Sequence, residues 1–547
     1  MKLTPLKIIF AAEVVAVVLT ATNVLPREMI LLWTGLAVFY LLFSPLEDGL
    51  ILIIASIPFF AALPLSENFD TLANWRILLG VLFLKFLWVR RHHLIPEKLR
   101  LGRIEILWFL FFAFSLVTIV VAKHPVATIK YVLFFGNAFL LWLLVKNLVL
   151  DQGMVSRIFR ALGIAAVGSL AVGFLQYTAI FFTPLANFWA FWANWVSRAF
   201  YGNDLATLVR HSNTWFSFYP DAPPTLRMFS VFPDSHSFAL FTILGLILFT
   251  FLFLGRITAR QAGSAEQPLA SRAESNIPTW LTWAAIAISF LAIWLAGSRG
   301  VWLSSLAPIG LGIFLAAKKS FRPFLKFLAA PLLLFLLLFP FSSFILNFSQ
   351  GREAARRNLA FERALTISDL EEISNKSRLQ IWSTSITSIA AHPLFGVGAG
   401  NFPVVLEQEI FEAKRGSSAH NFYLNVAAET GLIGLGLVVL IFLLLLLESW
   451  RLFRDQTRPL ELRILALSFG LYFSWILAYN LFDVVLANDK VLLLFFTLSA
   501  LFLTLARYGP TARYGESLSL EREEIPRSVP RFAPQPNVSR LGDPGGG

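Results

Sequence analysis

Apolar stretches about as long as a membrane span recur from one end of this chain to the other, separated by short polar links. A helix rising 1.5 Å per residue needs about twenty such residues to cross the hydrocarbon core of a bilayer. Candidate runs lie at about 6–25, 29–44, 46–64, 75–90, 104–122, 128–150, 158–182, 237–256, 280–297, 301–317, 324–346, 431–448, 463–482 and 491–507. Some short neighbours can merge or re-enter, so the pattern predicts about 12–14 transmembrane helices and an all-α, polytopic membrane protein. Composition agrees. Of 547 residues 57% are hydrophobic, 15% aromatic and only 14% charged, with a mean hydropathy of +0.70, whereas a soluble domain carries about 25% charged residues.

The net charge of +12 does not point to nucleic acid, because much of the basic excess sits in short links between apolar runs. Arg90, Arg91, Lys98, Arg100 and Arg103 share one link, Arg157 and Arg160 the next, and Lys318, Lys319 and Arg322 a later one. Arg451, Arg454, Arg458 and Arg463 form another, while the alternate short links hold only Arg27, Lys123, Arg299 and Lys490. Positive charge concentrates on the cytoplasmic side of membrane proteins, so both termini are expected inside. The N-terminus has the outline of a signal peptide, but Glu13 interrupts its apolar core, and an uncleaved first helix is expected. With no cysteine, disulfides and thiol chemistry are excluded.

This topology divides the chain into N-terminal helices (1–182), an aromatic-rich outer segment (183–236) and central helices (237–346). A long outer loop (347–430), C-terminal helices (431–507) and a Pro-, Arg-, Glu- and Ser-rich tail (508–547), expected to be disordered, follow. Trp189, Trp192, Trp195 and Trp215 suit a segment lying in the headgroup zone, either touching lipid tails or simply anchoring helix ends. In the outer loop Gly351–Ser368 reads as helical, Ser377–Ala391 places Leu379, Trp382, Ile386 and Ile389 on one apolar face, and Gly396–Phe402 reads as a turn.

An ionisable group near membrane depth costs about 2.5–3.5 kcal/mol on insertion scales, so each such residue needs a reason. Arg299, in A-G-S-R-G-V-W, sits in a tight turn between two spans. It is either a loop arginine reaching headgroups or an anion clamp, since guanidinium matches phosphate oxygens in a bidentate fork. Arg378 lies near a helix start, whose partial positive charge favours the same anion. His420 opens the stretch S-S-A-H-N-F-Y-L-N-V-A-A-E-T-G-L-I-G-L-G (417–436) at the mouth of a span. Its neutral imidazole accepts a proton near pH 7, unless the residue merely caps the following helix. Asn421 is a candidate to orient His420 or a substrate hydroxyl, and Glu429 a candidate buried support. Gly431, Gly434 and Gly436 are expected to serve close helix packing.

The run H-N-x9-G-x-x-G (His420, Asn421, Gly431, Gly434), the G-S-R-G around Arg299 and the S-R-x-x-I-W…H-P-L-F-G-V-G-A-G-N-F run from Ser377 to Phe402 resemble the common elements of the O-antigen ligase and O-antigen polymerase superfamily. The resemblance covers about 233–447; the first two hundred residues and the tail share only the polytopic character. It implies a GT-C-like membrane glycosyltransferase at the outer face of a bacterial inner membrane, with undecaprenyl-diphosphate-linked glycan as donor. Lipid A core, or a second lipid-linked glycan, is the implied acceptor, and neither metal nor nucleotide sugar is implied. On this reading Arg299 and Arg378 hold the diphosphate, with Arg227 and Arg352 assisting, and His420 handles the acceptor hydroxyl.

Other classes remain to be weighed. A transporter or lipid-glycan flippase places paired charges and broken helices at the bilayer midplane. Here Glu13 and Lys85 are the obvious mid-span charges, and the polar features gather at one surface. A scaffold that has lost catalysis has no need of Arg299, Arg378 and His420 together.

Overall fold

The structure, a computed structural model, describes residues 4–66, 69–91, 101–149, 151–210, 215–219, 222–262, 278–317, 322–349, 359–367, 373–407 and 417–508. The tail and Arg352 lie outside the described residues. The described residues are 80% helical with almost no sheet.

The N-terminal part comprises α1 (Pro5–Ala21), α2 (Met29–Phe43), α3 (Leu46–Ser56), α4 (Trp75–Val89), α5 (Arg103–Val117), α6 (Pro125–Leu148) and α7 (Gln152–Phe182). Next come α8 (Leu185–Phe191), one turn of π-helix (Trp192–Val196) and α9 (Ser197–Arg210). A hairpin of β1 (Phe216–Tyr219) and β2 (Ala222–Leu226) leads to α10 (Ser235–Ala262) and α11 (Thr279–Leu295). Helices α12 (Arg299–Ser304), α13 (Leu306–Ala317), α14 (Arg322–Ser349), α15 (Leu359–Leu365), α16 (Ile373–Ala391) and α17 (Phe402–Val405) follow. The described chain closes with α18 (Phe422–Arg454), α19 (Leu460–Tyr479) and α20 (Asp489–Tyr508).

Among the described residues seven helices are long and apolar enough to cross a membrane, those of α5, α6, α7, α10, α18, α19 and α20, and four shorter apolar helices accompany them. The apolar run at 46–64, expected as one span, is instead the 11-residue α3 followed by a 3-10 turn at Ile57–Phe59. Pro58 lacks the N–H that would continue the α-helical ladder. Every residue from Gly49 to Phe59 is buried, so this half-length piece is core rather than lipid-facing wall.

Helix α10 is the axis of the bundle. Its apolar window is 94% buried, and it packs against α7, α11, α19 and α20. Helix α20 lies along α6, and α18 lies against both α5 and α19. Aromatic rings fill the seams, as where Trp108, Phe139 and Trp142 surround Phe496. Buried ionisable groups have polar partners. The buried Glu13 accepts a hydrogen bond from Ser56, and Lys146 pairs with Glu105 at 2.5 Å. An ion left unpaired there would cost several kcal/mol.

The aromatic segment is partly folded inward. Trp195 stays exposed, but Trp215 is buried, stacks on Phe229 with ring centroids 4.6 Å apart, and donates from Nε1 to Pro233 O at 2.8 Å. It therefore holds the hairpin onto the entry to α10 instead of anchoring a helix end in lipid headgroups.

Candidate active site

The H-N stretch is strapped down on both sides. Asn421 is the N-cap of α18, its Oδ1 accepting from the N–H groups of Tyr423 (3.0 Å) and Leu424 (3.1 Å). That oxygen is committed to the helix start, which leaves the Nδ2 group for any substrate contact. Just before it, Ala419 is buried, with its carbonyl accepting from Trp382 Nε1 on α16 (2.9 Å) and its N–H donating to Asn425 Oδ1 (3.1 Å). Just after it, Phe422 N–H donates to Asn480 O at 2.7 Å. His420, between these ties, has φ +47°, a left-handed conformation that a non-glycine residue holds only where its surroundings enforce it.

Asn480 opens the short link between α19 and α20, and the same link carries Asp483. One carboxylate oxygen of Asp483 lies 3.3 Å from His236 Nδ1, and the other 3.9 Å from His420 Nδ1. His236, in the first turn of α10, also has its Nδ1 2.8 Å from Tyr479 Oη and 2.9 Å from Ser298 Oγ. Burial alone would raise the Asp483 carboxyl, but His236, His420 and the charge of Arg378 outweigh it and hold Asp483 well below the usual carboxylate range. Asp234, which caps α10 through the N–H (2.6 Å) and hydroxyl (3.0 Å) of Ser237, behaves oppositely. Burial, with Asp483 adding to it, pushes its carboxyl up to about 6 against those hydrogen bonds.

Arginines gather at the adjoining turn. Gly297 has φ +64°, and a Cβ there would stand 3.3 Å from both Arg227 Cγ and Ser217 Oγ. Arg227 Nε donates to Ser217 Oγ at 3.1 Å, and the buried Arg363 donates from Nε to Gly297 O at 2.8 Å. Two residues on, Arg299 donates from Nη1 to Thr366 Oγ1 (2.7 Å) and Thr366 O (3.3 Å). Arg378, on α16, makes no hydrogen bond or ion pair among the described residues, yet its charge reaches Asp483. The result is a turn lined by guanidinium groups next to a histidine–carboxylate pair, a setting matched to an anion beside a proton acceptor.

A glycine-rich loop holds this end of α18. Helix α18 breaks at Gly431 (φ +66°), where a Cβ would lie 2.2 Å from Leu394 O. Leu432 N–H turns out to Pro393 O (2.7 Å), and Val397 N–H donates to Ala428 O (2.9 Å). Glu429, 4% exposed, accepts the Phe402 N–H on Oε1 at 3.2 Å, so it braces the loop and does not face His420. Gly436, expected to pack against a neighbouring helix, does not: a Cβ there meets nothing within 4 Å. At Gly434 the three atoms nearest a Cβ all belong to Thr430 of the same helix. The loop is anchored in turn by the fully buried Asn401, which accepts from His124 N–H (2.9 Å) and donates to Thr128 Oγ1 (3.2 Å) and Ala399 O (3.1 Å).

The structure thus brings His420 and the charge of Arg378 to Asp483 and that of Arg227 to His236, sets Arg299 beside Ser298 of the same cluster, and gives Asn421 and Glu429 supporting positions. Sequence reading did not find Asp483, Tyr479, Ser298, Arg363 or a chemical role for His236. Only the last carried a signal, as the polar end of R-M-F-S-V-F-P-D-S-H ahead of a span.

Fold and site define an all-α, multi-pass membrane protein whose ionisable groups converge at the starts of α10, α12 and α18 and the end of α19. Residues 284–439 match a family model described as O-antigen ligase, so the resemblance to the O-antigen ligase and polymerase superfamily holds over that segment and supports a family function in surface polysaccharide assembly. The match contains Arg299, Arg378, His420, Asn421 and Glu429; Arg227, His236 and Asp483 lie outside it. No curated protein matches the chain.

Proposed function

We propose that the protein transfers a glycan from an undecaprenyl-diphosphate carrier to an acceptor hydroxyl, as a metal-independent glycosyltransferase of O-antigen ligase type. In this reading it lies in the bacterial inner membrane, with the site on the outer side and both termini cytoplasmic. The observation that carries the proposal is the Asp483 carboxylate set between His420 and His236, within reach of the Arg378 charge.

His420 takes the proton of the acceptor hydroxyl as its oxygen bonds to the anomeric carbon. Asp483 favours the imidazolium that results and orients the ring. The bond from the anomeric carbon to the phosphate oxygen breaks, the electron pair leaves with the diphosphate, and Arg378, Arg299 and Arg227 offset the charge developing there. Attack opposite the leaving group inverts the anomeric centre.

The test is transfer by the purified protein in vesicles containing lipid-linked glycan and acceptor. His420→Ala should lower the rate by at least about a hundredfold while membrane insertion and thermal stability stay as in the wild type; undiminished transfer by a well-folded variant would sink the proposed site. Deletion of the gene separates the ligase reading from the polymerase one. Bare lipid A core with accumulated lipid-linked polymer indicates a lost ligase, and core bearing a single repeat a lost polymerase.

A further inference from the structure

Beside the arginine turn runs an open groove of about 750 Å³ between the end of α7, α8 and the β1–β2 hairpin. Phe182, Leu185, Trp189, Phe216, Phe218 and Leu226 line it, and none of its described lining residues is charged. Large exposed apolar surfaces of this kind mark contact with lipid or a partner.

The hairpin acts as a partition. Phe216 pairs across the strands with Leu226, and Ser217 with Thr225. Because strand side chains alternate between faces, Phe216, Leu226 and Phe218 meet the groove while Ser217 and Thr225 turn the other way and are buried. On that other face Ser217 Oγ accepts from Arg227 Nε and abuts Gly297. One thin wall therefore has hydrocarbon on one side and a guanidinium on the other. Leu226, at the end of the groove, is followed directly by Arg227. The groove is also lined by Pro223 and Pro224 of β2, which have no N–H to leave unpaired against an apolar chain.

We infer that this groove holds the first isoprene units of the polyprenyl diphosphate donor, an inference that rests on the transfer reading above. In such a lipid the phosphate oxygen is bonded directly to the allylic carbon, so anion and hydrocarbon are adjacent. A glycerophospholipid interposes glycerol and two ester carbonyls. At the junction here Arg227 gives way at once to Leu226 and Phe216 across the pair, which fits the first kind of ligand.

The test is photolabelling of the full-length protein in nanodiscs. One probe is a polyprenyl diphosphate bearing a diazirine in its first isoprene units, the other a phosphatidylglycerol bearing a diazirine in its acyl chain. The expected result is label from the polyprenyl probe in peptides covering 180–189 or 216–226, competed by unlabelled polyprenyl diphosphate, with little from the glycerolipid. Phe182 and Phe218 are 84% and 60% exposed, so Phe182→Gln with Phe218→Gln should leave the fold intact and cut that labelling about tenfold. Equal labelling by both lipids, label confined to other helices, or undiminished labelling of the double variant would overturn the inference. Selective labelling of a wild type that transfers no glycan would keep the groove and refute the transfer reading instead.

Discussion

His420 Nδ1 stands 3.9 Å from Asp483 Oδ1, an ion-pair separation across sixty-two residues of intervening chain. The pairing makes Asp483 a positioning residue for the imidazole. Asp483→Asn should reduce transfer about a hundredfold while the protein still inserts and folds at neutral pH with lower stability, and Asp483→Glu should recover part of the lost transfer. A simple structural role would not give that rescue.

The two acids near the site predict opposite pH slopes. Asp483 is held down on folding, so its contribution is present above its unfolded value near 3.9 and is lost as pH falls below it. Asp234 is held up at about 6, so the native state binds its proton more tightly and stability from this group declines as pH rises from about 4 to 6. Asp234→Asn, which keeps a capping oxygen, should remove that decline, gaining about 2 kcal/mol on the wild type at pH 7 relative to pH 4. Thermal melts of the two proteins in detergent across that range check it.

Gly431 and Gly436 offer a paired test of backbone geometry. At Gly431 the positive φ and a Cβ 2.2 Å from Leu394 O make Gly431→Ala costly, by about 3 kcal/mol or more. At Gly436 there is open space, so Gly436→Ala should be neutral or stabilise by up to about 1 kcal/mol. Melting temperatures and detergent-extracted yields read both.

Asn401 joins the glycine loop to the α5–α6 connection. Asn401→Ala removes the bonds to the His124 N–H and to Thr128 Oγ1, while Ala399 O keeps the Thr128 hydroxyl, at a cost of about 1–3 kcal/mol. Limited proteolysis near 393–402 should speed up, and transfer should fall although the residue is fully buried.

The spans and the H-N stretch were legible because each is local. Apolar runs declare helices, and a histidine at the mouth of one declares an exception. Asp483 was not, because N-L-F-D-V-V between two apolar runs has the form of any short loop, and only the pairing of α18 with α19 shows what the carboxylate faces. The reading of 46–64 as a span failed because length was judged on hydropathy while Pro58 ended the helix. Lys490, counted as a loop cation, is buried, donating to Pro58 O (3.0 Å) and Val231 O (3.3 Å) over the Phe200 ring. Nothing near it in sequence supplies those partners.

The tie from Phe422 N–H to Asn480 O has a consequence for biosynthesis. Chains enter the membrane N-terminus first, so a nascent polypeptide that has threaded α18 already carries His420, Arg299 and Arg378. It lacks Asn480 to set the histidine turn and Asp483 to pair with the ring. Those arrive only with the final helical pair. On the proposed reading, the order of synthesis is therefore a safeguard: no stalled or truncated chain ending before that link can act on the carrier lipid.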